Sequence, residues 1–160
     1  MWTGFAGDPV TGDLFGLATK VTSSSCDSAA AIYQIDVQNV TASELALFEG
    51  VCFSNLAINN SGEIYSLDLY ASNSLIKINR ETWDYTNIGS DDWENRGSIG
   101  IAFDENGRLY SLVSHHLGSG FFSAAIVEID INTGQRMDDT WEEIPRGSIP
   151  GKSGLAIRRE

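Results

Sequence analysis

A pattern of alternating apolar and polar positions recurs along the chain and is clearest at Ile99–Leu112, which reads IGIAFDENGRLYSL. Two short apolar runs flank an Asn-Gly turn there, an arrangement typical of a β-hairpin. The same pattern occurs at Leu56–Leu67 and, with one extra turn residue, at Phe5–Leu17. The sequence therefore predicts three repeats that each begin with a hairpin of strands A and B.

The spacing of the hairpins indicates a regular array. Ala6, Ala57 and Ala102 occupy the same hairpin position at intervals of 51 and 45 residues, and Ala156 follows 54 residues later. A strand-rich period of roughly 40–50 residues is typical of arrays in which each repeat is a small sheet. The segment Gly154–Ile157 therefore predicts one further strand after the third repeat.

Two more strands, C and D, are predicted after each hairpin because short apolar runs continue there. Strand C is predicted at Ile32–Asp36, Leu75–Ile78 and Ile126–Asp130, and strand D at Leu45–Phe48, Tyr85–Ile88 and Trp141–Ile144. Polar stretches at Thr19–Ser28 and His115–Ser123 are predicted to be long loops between strands B and C. No apolar stripe of helical period persists, so the chain is predicted to be all-β, with repeats at about 2–49, 53–89 and 98–145 and an extra strand at 153–159 in a single domain.

Several positions hold the same residue type in all three repeats. An aromatic residue recurs in strand B and an isoleucine in strand C, at Phe15, Tyr65 and Tyr110 and at Ile35, Ile78 and Ile129. We interpret both as packing positions between neighbouring repeats. The hairpin turns hold Gly12, Gly62 and Gly107, where a residue with positive φ is required.

Gly100–Asp104, continued by Gly107 and Leu109-Tyr110, reads G-I-A-F-D-x-x-G-x-L-Y. This motif resembles the repeats of six-bladed β-propellers, and Gly4–Asp8 and Asn55–Asn59 match it with substitutions. The resemblance covers nearly the whole chain and implies three four-stranded blades. It specifies a fold rather than a reaction, because propellers bind proteins, sugars and metals, and some are hydrolases, lactonases or lyases.

Three blades and one extra strand are too few to close a ring, since propellers have about 4–8 blades. An open array would expose an apolar face at each end. Either two chains pair as a homodimer into a six-bladed ring, or the chain is part of a longer propeller. We favour the homodimer, in which Gly154–Ile157 would complete a blade across the subunit boundary; the same strand would open a fourth blade in a longer chain.

The composition excludes some partners. The formal net charge is −12, from 22 acidic and 10 basic residues, so this acidic protein is expected to repel nucleic acid and anionic lipid. No apolar run approaches the roughly 18 residues of a membrane span. The first residues, MWTGFAGDP, lack the basic and apolar regions of a signal peptide, so the sequence leaves the compartment open.

Cys26 and Cys52 are the two cysteines of the chain. Two cysteines do not make a disulfide framework, so we expect two independent thiols. A bond between them would add about 3 kcal/mol if the geometry allowed it. Zinc requires four ligands, so this pair alone is not expected to bind the metal.

The resemblance implies that the D–A and B–C loops surround the mouth of the central channel. The residues gathered there would be Asp91, Asp92, Trp93, Glu94, His115 and His116. Carboxylates and imidazoles can bind a divalent cation or act as acid and base on a substrate. The alternative is a solvated turn with loop histidines and a tryptophan that plugs the ring, and the spacing matches no recognised metal motif.

The sequence therefore favours a non-catalytic binding or scaffold module, with an unknown small-molecule or protein ligand at the loop-lined face. One alternative is a metal-assisted hydrolase or lyase that uses His115, His116, Asp91 and Glu94. Another is a structural fragment of a longer propeller. The oxygen-rich hairpin turns are explained by turn chemistry and lack the ligand pattern of an EF-hand, so no cofactor is strongly implied.

Overall fold

The computed structural model of this protein describes residues 1–22, 25–68, 74–89, 96–116 and 122–144. For residues 20–22, 25–28, 96, 97, 99, 115, 116, 122, 123, 138, 139 and 141 the description is confined to the backbone. Within these ranges no helix is long and apolar enough to cross a membrane.

Twelve antiparallel strands of the described ranges form three four-stranded sheets, each in sequence order. The strands are β1 (Trp2–Gly7), β2 (Leu14–Thr22), β3 (Ser25–Asp36), β4 (Thr41–Glu49), β5 (Phe53–Ile58), β6 (Ile64–Asp68), β7 (Ser74–Ile78), β8 (Tyr85–Gly89), β9 (Arg96–Phe103), β10 (Leu109–His116), β11 (Phe122–Ile129) and β12 (Arg136–Ile144). We name the sheets blade 1 (β1–β4), blade 2 (β5–β8) and blade 3 (β9–β12). The predicted all-β class and the three four-stranded sheets are confirmed. The predicted extra strand at 153–159 lies outside the described residues.

The long B–C loops predicted in repeats 1 and 3 were partly wrong. Strand β2 continues to Thr22 and β3 starts at Ser25, so most of the polar stretch is strand. Strand β10 likewise includes His115 and His116. Backbone pairing continues beyond the apolar core, because a ladder of N–H and C=O groups does not require apolar side chains.

Each turn between strands A and B, or C and D, begins with an Asp or Asn that closes it. The side-chain Oδ1 atom accepts a hydrogen bond of 2.8–2.9 Å from the backbone N–H two residues later, as seen at Asp8, Asp36, Asn59, Asn79, Asp104 and Asp130. Gly12, Gly62 and Gly107 have φ of 79°, so the predicted glycine role is confirmed. The fifth residue of each C–D turn is also left-handed, but only one of the three is glycine: φ is 54° at Val40, 61° at Trp83 and 72° at Gly134.

Blades 1 and 2 pack face to face. Phe15, Leu17 and Ile32 of blade 1 contribute to one buried cluster with Ile64, Ile76 and Ile78 of blade 2. A second cluster joins blades 2 and 3, with Tyr65, Leu67 and Leu75 on one side and Leu109, Val127 and Ile129 on the other. Each blade therefore has one face towards the preceding blade and one towards the next.

The predicted packing positions are confirmed wherever a neighbouring blade is present. Phe15 and Tyr65 are each 2 % exposed, Ile78 is 1 % exposed and Ile129 is 2 % exposed. The two equivalents at the ends of the array, Ile35 and Tyr110, are only partly buried. The residue types that are buried between blades thus also occur at the two ends of the array, where they are only partly buried.

The first strands of the three blades lie side by side, β1 against β5 and β5 against β9. A side chain at Gly4 would place its Cβ atom 2.7 Å from the backbone N of Leu56, so this approach requires glycine. A similar approach joins blades 2 and 3, where a Cβ atom on Gly89 would lie 2.1 Å from the carbonyl oxygen of Thr133. These backbone contacts fix the spacing between blades.

Candidate functional site

The predicted site is only partly described by the structure. Asp91, Asp92, Trp93 and Glu94 lie outside the described residues. The backbone places His115 opposite Arg96 of β9 and Ser123 of β11, while His116 pairs with Phe122. The histidines therefore end a paired strand instead of standing in a loop, which corrects their predicted placement.

A group of polar side chains lies at the loop end of blades 1 and 2, which is the end where the B–C and D–A connections lie. We name it the loop-end cluster: the buried Thr19, Ser54, Asn55, Asp68 and Ser74, and the partly buried Thr3. Thr19 connects the two blades, because its hydroxyl donates a 2.5 Å hydrogen bond to the carbonyl of Phe53. The hydroxyl oxygens of Thr3 and Thr19 are 3.1 Å apart. Polar groups here are thus used to join the blades where the apolar core ends.

Asp68 is a buried carboxylate in this cluster. It ends strand β6, pairs with Phe53 and Ser74 in the sheet, and accepts a 3.4 Å hydrogen bond from the backbone N–H of Cys52. Buried carboxylates are rare unless they are hydrogen-bonded or paired. The sequence analysis missed Asp68, and the one available signal was an acidic residue directly after the apolar strand IYSL.

Strand β5 has a bulge at the cluster. Asn55 has φ of 62°, and the register shifts between Ser54 and Ala57. The buried hydroxyl of Ser66 supports the bulge by donating to the carbonyls of Asn55 and Ser54, at 2.7 and 3.1 Å. Bulges are common beside functional sites because they change the direction of a side chain. The Asn55 side chain is held by a 3.0 Å hydrogen bond from its Nδ2 to the Ser54 hydroxyl.

Blade 3 supports the equivalent part of its first strand with serines. The hydroxyl oxygens of Ser98 and Ser111 are 2.8 Å apart, and Ser111 also donates to the carbonyl of Gly100 at 3.4 Å. Ser111 occupies the repeat position of Ser66, and both are fully buried. Blade 1 has Gly16 at this position, where the ring of Trp2 and the side chain of Ile35 leave no space for a Cβ atom.

Cys52 precedes β5 and is disulfide-bonded, so the expectation of two independent thiols was wrong. The part of the chain that the structure describes contains no free cysteine. The sequence has one other cysteine, Cys26. The prediction failed because a bond between distant segments depends on how blades pack, which cysteine spacing does not report.

At the opposite, turn end of the blades, a cation lies against each of the equivalent strand-B aromatics. The distances from the cation to the ring centroid are 5.0 Å for Arg80 and Phe15, 5.9 Å for Lys77 and Tyr65, and 5.6 Å for Arg108 and Tyr110. Such contacts contribute about 0.5–2 kcal/mol each. Each of the three strand-B aromatics therefore has a cationic partner.

Carboxylates neutralise these cations. Burial alone would raise the pKa of Asp8, but hydrogen bonds from the Val10 N–H and the Thr11 hydroxyl, together with the Arg80 guanidinium, outweigh it and lower the pKa. The pKa of Glu63 is lowered chiefly by its hydrogen bond with the Lys77 ammonium group, 2.5 Å away. Both carboxylates are thus ionised at neutral pH and hold turns and blades together.

The pKa of three further turn carboxylates, Asp104, Asp36 and Asp130, is lowered as well. Burial opposes ionisation of Asp104, but the Arg108 N–H and guanidinium lower its pKa. Hydrogen bonds from Asn39 lower the pKa of Asp36, and the Asn132 N–H lowers that of Asp130. A general acid at neutral pH needs a raised pKa. These carboxylates are therefore suited to structural roles.

Neither the turn end nor the described loop end offers a metal centre. No three His, Cys, Asp or Glu side chains within the described ranges come close enough together to hold an ion. A shallow open groove of about 450 Å³ lies at the turn end of blade 1, lined in part by Asp13, Gln34 and Asp36. Asp13 and Asp36 are both hydrogen-bonded within their own turns, and this groove is not at the predicted loop face.

No protein-family model matches this sequence, and neither does any curated protein. Solved structures do match. They include TolB from Acinetobacter baumannii (TM-score 0.53, 13% identity, 85% of this chain and 31% of that chain) and a protein of unknown function from Bacteroides thetaiotaomicron (TM-score 0.56, 12% identity, 83% and 32%). A third is regucalcin, a calcium-binding protein from Agrobacterium tumefaciens (TM-score 0.56, 17% identity, 92% and 45%).

At these identities the likeness shows the fold alone. Together with the three antiparallel four-stranded sheets, it confirms the resemblance to β-propellers. The chain spans less than half the length of each of these structures. It therefore corresponds to part of a propeller ring.

Proposed function

We propose that this chain is a non-catalytic binding or scaffold module, that it works within a closed propeller ring, and that a small molecule or protein binds at the loop-lined face. The observation that carries the proposal is the difference in solvent exposure between equivalent positions of the repeat. Ile78 and Ile129 are buried between blades, whereas Ile35 is partly exposed at the end of the array. A surface built to pack against another blade favours an assembled ring.

A second copy of the chain is the proposed source of the missing blades. Two copies with three blades each give six, within the range of about 4–8 that closes a ring. The closed assembly removes the exposed apolar residues of both end faces from water, and apolar burial is the dominant favourable term in association. In the rival arrangement the remaining blades belong to a longer chain, and the same faces would be covered within one polypeptide.

The ligand is assigned to the loop end, where the loop-end cluster and the strand ends at His115 and His116 lie. Binding is favoured over catalysis because the carboxylates with a lowered pKa already serve turns and ion pairs. The loop residues Asp91, Asp92, Trp93 and Glu94 remain part of the proposed ligand surface, as do the two histidines.

Light scattering on a size-exclusion column tests the ring. We expect a species at twice the 17.4 kDa mass of the chain that survives moderate dilution and gives way to the single chain only at the lowest concentrations. A well-folded monomer at all concentrations would refute closure by a second copy and favour the longer-propeller alternative.

The metal-assisted hydrolase or lyase is separated by thermal unfolding with Ca²⁺, Mn²⁺ or Zn²⁺. An ion that binds only the folded state raises Tm by mass action. At an ion concentration of a hundred times Kd, it stabilises the folded state by about 2.7 kcal/mol. The binding-module proposal predicts no shift with any of the three ions. A shift that disappears in His115→Ala would instead favour the metal-assisted enzyme.

A further inference from the structure

The outer face of blade 1 is the apolar surface formed by Trp2, Phe5, Leu14, Tyr33, Ile35 and Leu47. Trp2 stacks on Phe5 with a centroid distance of 5.4 Å and meets the edge of Tyr33 at 5.2 Å. Trp2, Phe5 and Leu47 are 45, 57 and 55 % exposed. Isolated exposed apolar residues are ordinary, but a contiguous cluster of this kind marks an interaction surface.

The register of the sheets shows what this face is built to contact. In blade 1 Leu14 pairs with Ile35, in blade 2 Ile64 pairs with Ile78, and in blade 3 Leu109 pairs with Ile129; these six residues form one row of the repeat. In blades 2 and 3 this row is buried against the preceding blade, on the side of its strand-B aromatic. The partner expected for blade 1 is thus a face with an aromatic in strand B.

Blade 3 has such a face at the other end of the array, and we name it the outer face of blade 3: Ala102, Tyr110, Glu128 and Met137. These residues form one continuous row across the four strands. Tyr110 stands at the position of Phe15 and Tyr65, which are buried between blades. We propose that the outer face of blade 1 binds the outer face of blade 3 of a second copy, an inference that rests on the proposed ring and specifies how it closes.

The C–D turns supply a second argument. Arg80 of blade 2 reaches back to the ring of Phe15, and Trp83 of the same turn packs on the core between blades 1 and 2. Ile131 of blade 3 packs in the same way on the cluster that contains Tyr65. The equivalent of Arg80 and Ile131 in blade 1 is Val37. In the closed ring it meets the partner's Tyr110.

Val40 is the equivalent of Trp83, and among the described residues it is not part of a buried cluster. It is 88 % exposed, and Val37 is 70 % exposed. Val40 also has φ of 54°, which is costly for a β-branched residue. An apolar residue kept in this conformation on an exposed turn is accounted for by contact with a partner blade.

The closing contact would repeat an arrangement of cations and aromatics that is already present between blades. Between blades 1 and 2 the cation beside the aromatic comes from the next blade, as Arg80. Between blades 2 and 3 it comes from the aromatic's own blade, as Lys77, and the next blade supplies the apolar Ile131. Closure repeats the second arrangement, since Arg108 already lies 5.6 Å from the ring of Tyr110 and Val37 is uncharged. Each aromatic then has one cation, without two cations meeting.

The area of the faces is sufficient for a stable dimer. Four strands spaced about 4.8 Å apart, with about five residues each at about 3.3 Å, give a flat area of roughly 300 Å² per face. A ring of two chains covers four such faces, roughly 1,200–1,300 Å² before side-chain relief is counted. Specific interfaces bury about 1,200–2,000 Å² in total, so two closing contacts reach that range.

Disulfide cross-linking tests which faces meet. Val37→Cys chains are mixed with Tyr110→Cys chains, oxidised mildly and separated without reductant. We expect a band at twice the chain mass that is at least tenfold stronger than in either variant alone. The matched control is Val10→Cys mixed with Tyr110→Cys, because Val10 is an exposed turn valine on the opposite side of blade 1 and should give no cross-link.

The outcomes separate this inference from the proposed ring. A doubled mass by light scattering with no Val37–Tyr110 cross-link overturns the inference and leaves the dimer standing. Cross-linking of Val37→Cys chains to one another also overturns it, because blade 1 would then meet blade 1. A monomeric mass overturns the ring, and the inference with it.

Discussion

Replacing Ile78 by alanine tests whether equivalent positions of the repeat contribute differently to the free energy of unfolding. Ile78 is 1 % exposed and belongs to the core between blades 1 and 2. Removing a buried isoleucine to alanine costs about 2–5 kcal/mol, because the transfer free energy of the lost methyl groups is joined by the cost of the cavity. We expect a loss of about 3 kcal/mol for Ile78→Ala.

Ile35 is the matched control, since it occupies the same position of the repeat in blade 1 and is only partly buried. At a concentration where light scattering shows a single chain, Ile35→Ala should cost about 1 kcal/mol, because fewer of its methyl groups leave water on folding. At a concentration where the dimer forms, its cost should rise towards that of Ile78→Ala.

Urea unfolding followed by far-ultraviolet circular dichroism measures both variants. With m of about 1–3 kcal/mol/M, a loss of about 3 kcal/mol lowers the midpoint by about 1–3 M. By thermal unfolding the same loss corresponds to about 6–12 °C in Tm. Equal costs for the two variants in the single chain would refute the assignment of Ile78 to a blade interface and of Ile35 to a free end.

Three further predictions follow from particular contacts. Gly89→Ala should lower the free energy of unfolding by about 2 kcal/mol in urea, because its Cβ atom would lie 2.1 Å from the Thr133 oxygen. Gly7→Ala is the control and should be neutral, since no atom lies within 4 Å of its Cβ position. Equal effects of the two substitutions would contradict the close approach at Gly89. Cys52→Ser should cost about 3 kcal/mol, and reductant should then have no further effect on the variant's midpoint. Asp8→Asn should cost about 1.5–3 kcal/mol at pH 7. The lowered pKa of Asp8 stabilises the folded state above the unfolded pKa of about 3.9, and this stability is lost as the pH falls through the folded pKa. The difference in stability between Asp8→Asn and wild type should therefore shrink at pH 2–3. A difference that does not depend on pH would contradict the prediction.

Local features of the fold could be predicted from the sequence because local rules determine them. Gly12, Gly62 and Gly107 mark the hairpins since only glycine adopts their φ of 79° without strain. The alternation around Phe15 and Ile78 identified packing faces because strand side chains have a period of two. These signals lie within a few residues of one another and need no knowledge of the rest of the chain.

Contacts between distant segments could not be predicted in the same way. The ion pair of Arg80 with Asp8 joins residues 72 positions apart, and neither residue type nor spacing identifies it. The disulfide bond of Cys52 and the burial of Asp68 depend likewise on how blade 2 sits against blade 1. The positive φ of Trp83 could not be predicted from its residue type, because the conformation follows from the turn geometry that all three blades share.

The candidate site remains the least determined from sequence. Asp91, Asp92, Trp93 and Glu94 stay a prediction, and the two histidines proved to be strand residues. The loop-end cluster was missed because its serines and threonines are ordinary residues for a strand or a turn. Their burial arises only when the blades come together.

Small-angle X-ray scattering on the dimer fraction tests the central claim of a closed ring most directly. A compact assembly of two 160-residue chains has a radius of gyration of about 20 Å, against about 15 Å for one chain. We predict a doubled mass with a radius near 20 Å and little change on dilution. A doubled mass with a radius well above 25 Å, as for two arrays joined at one end only, would contradict closure.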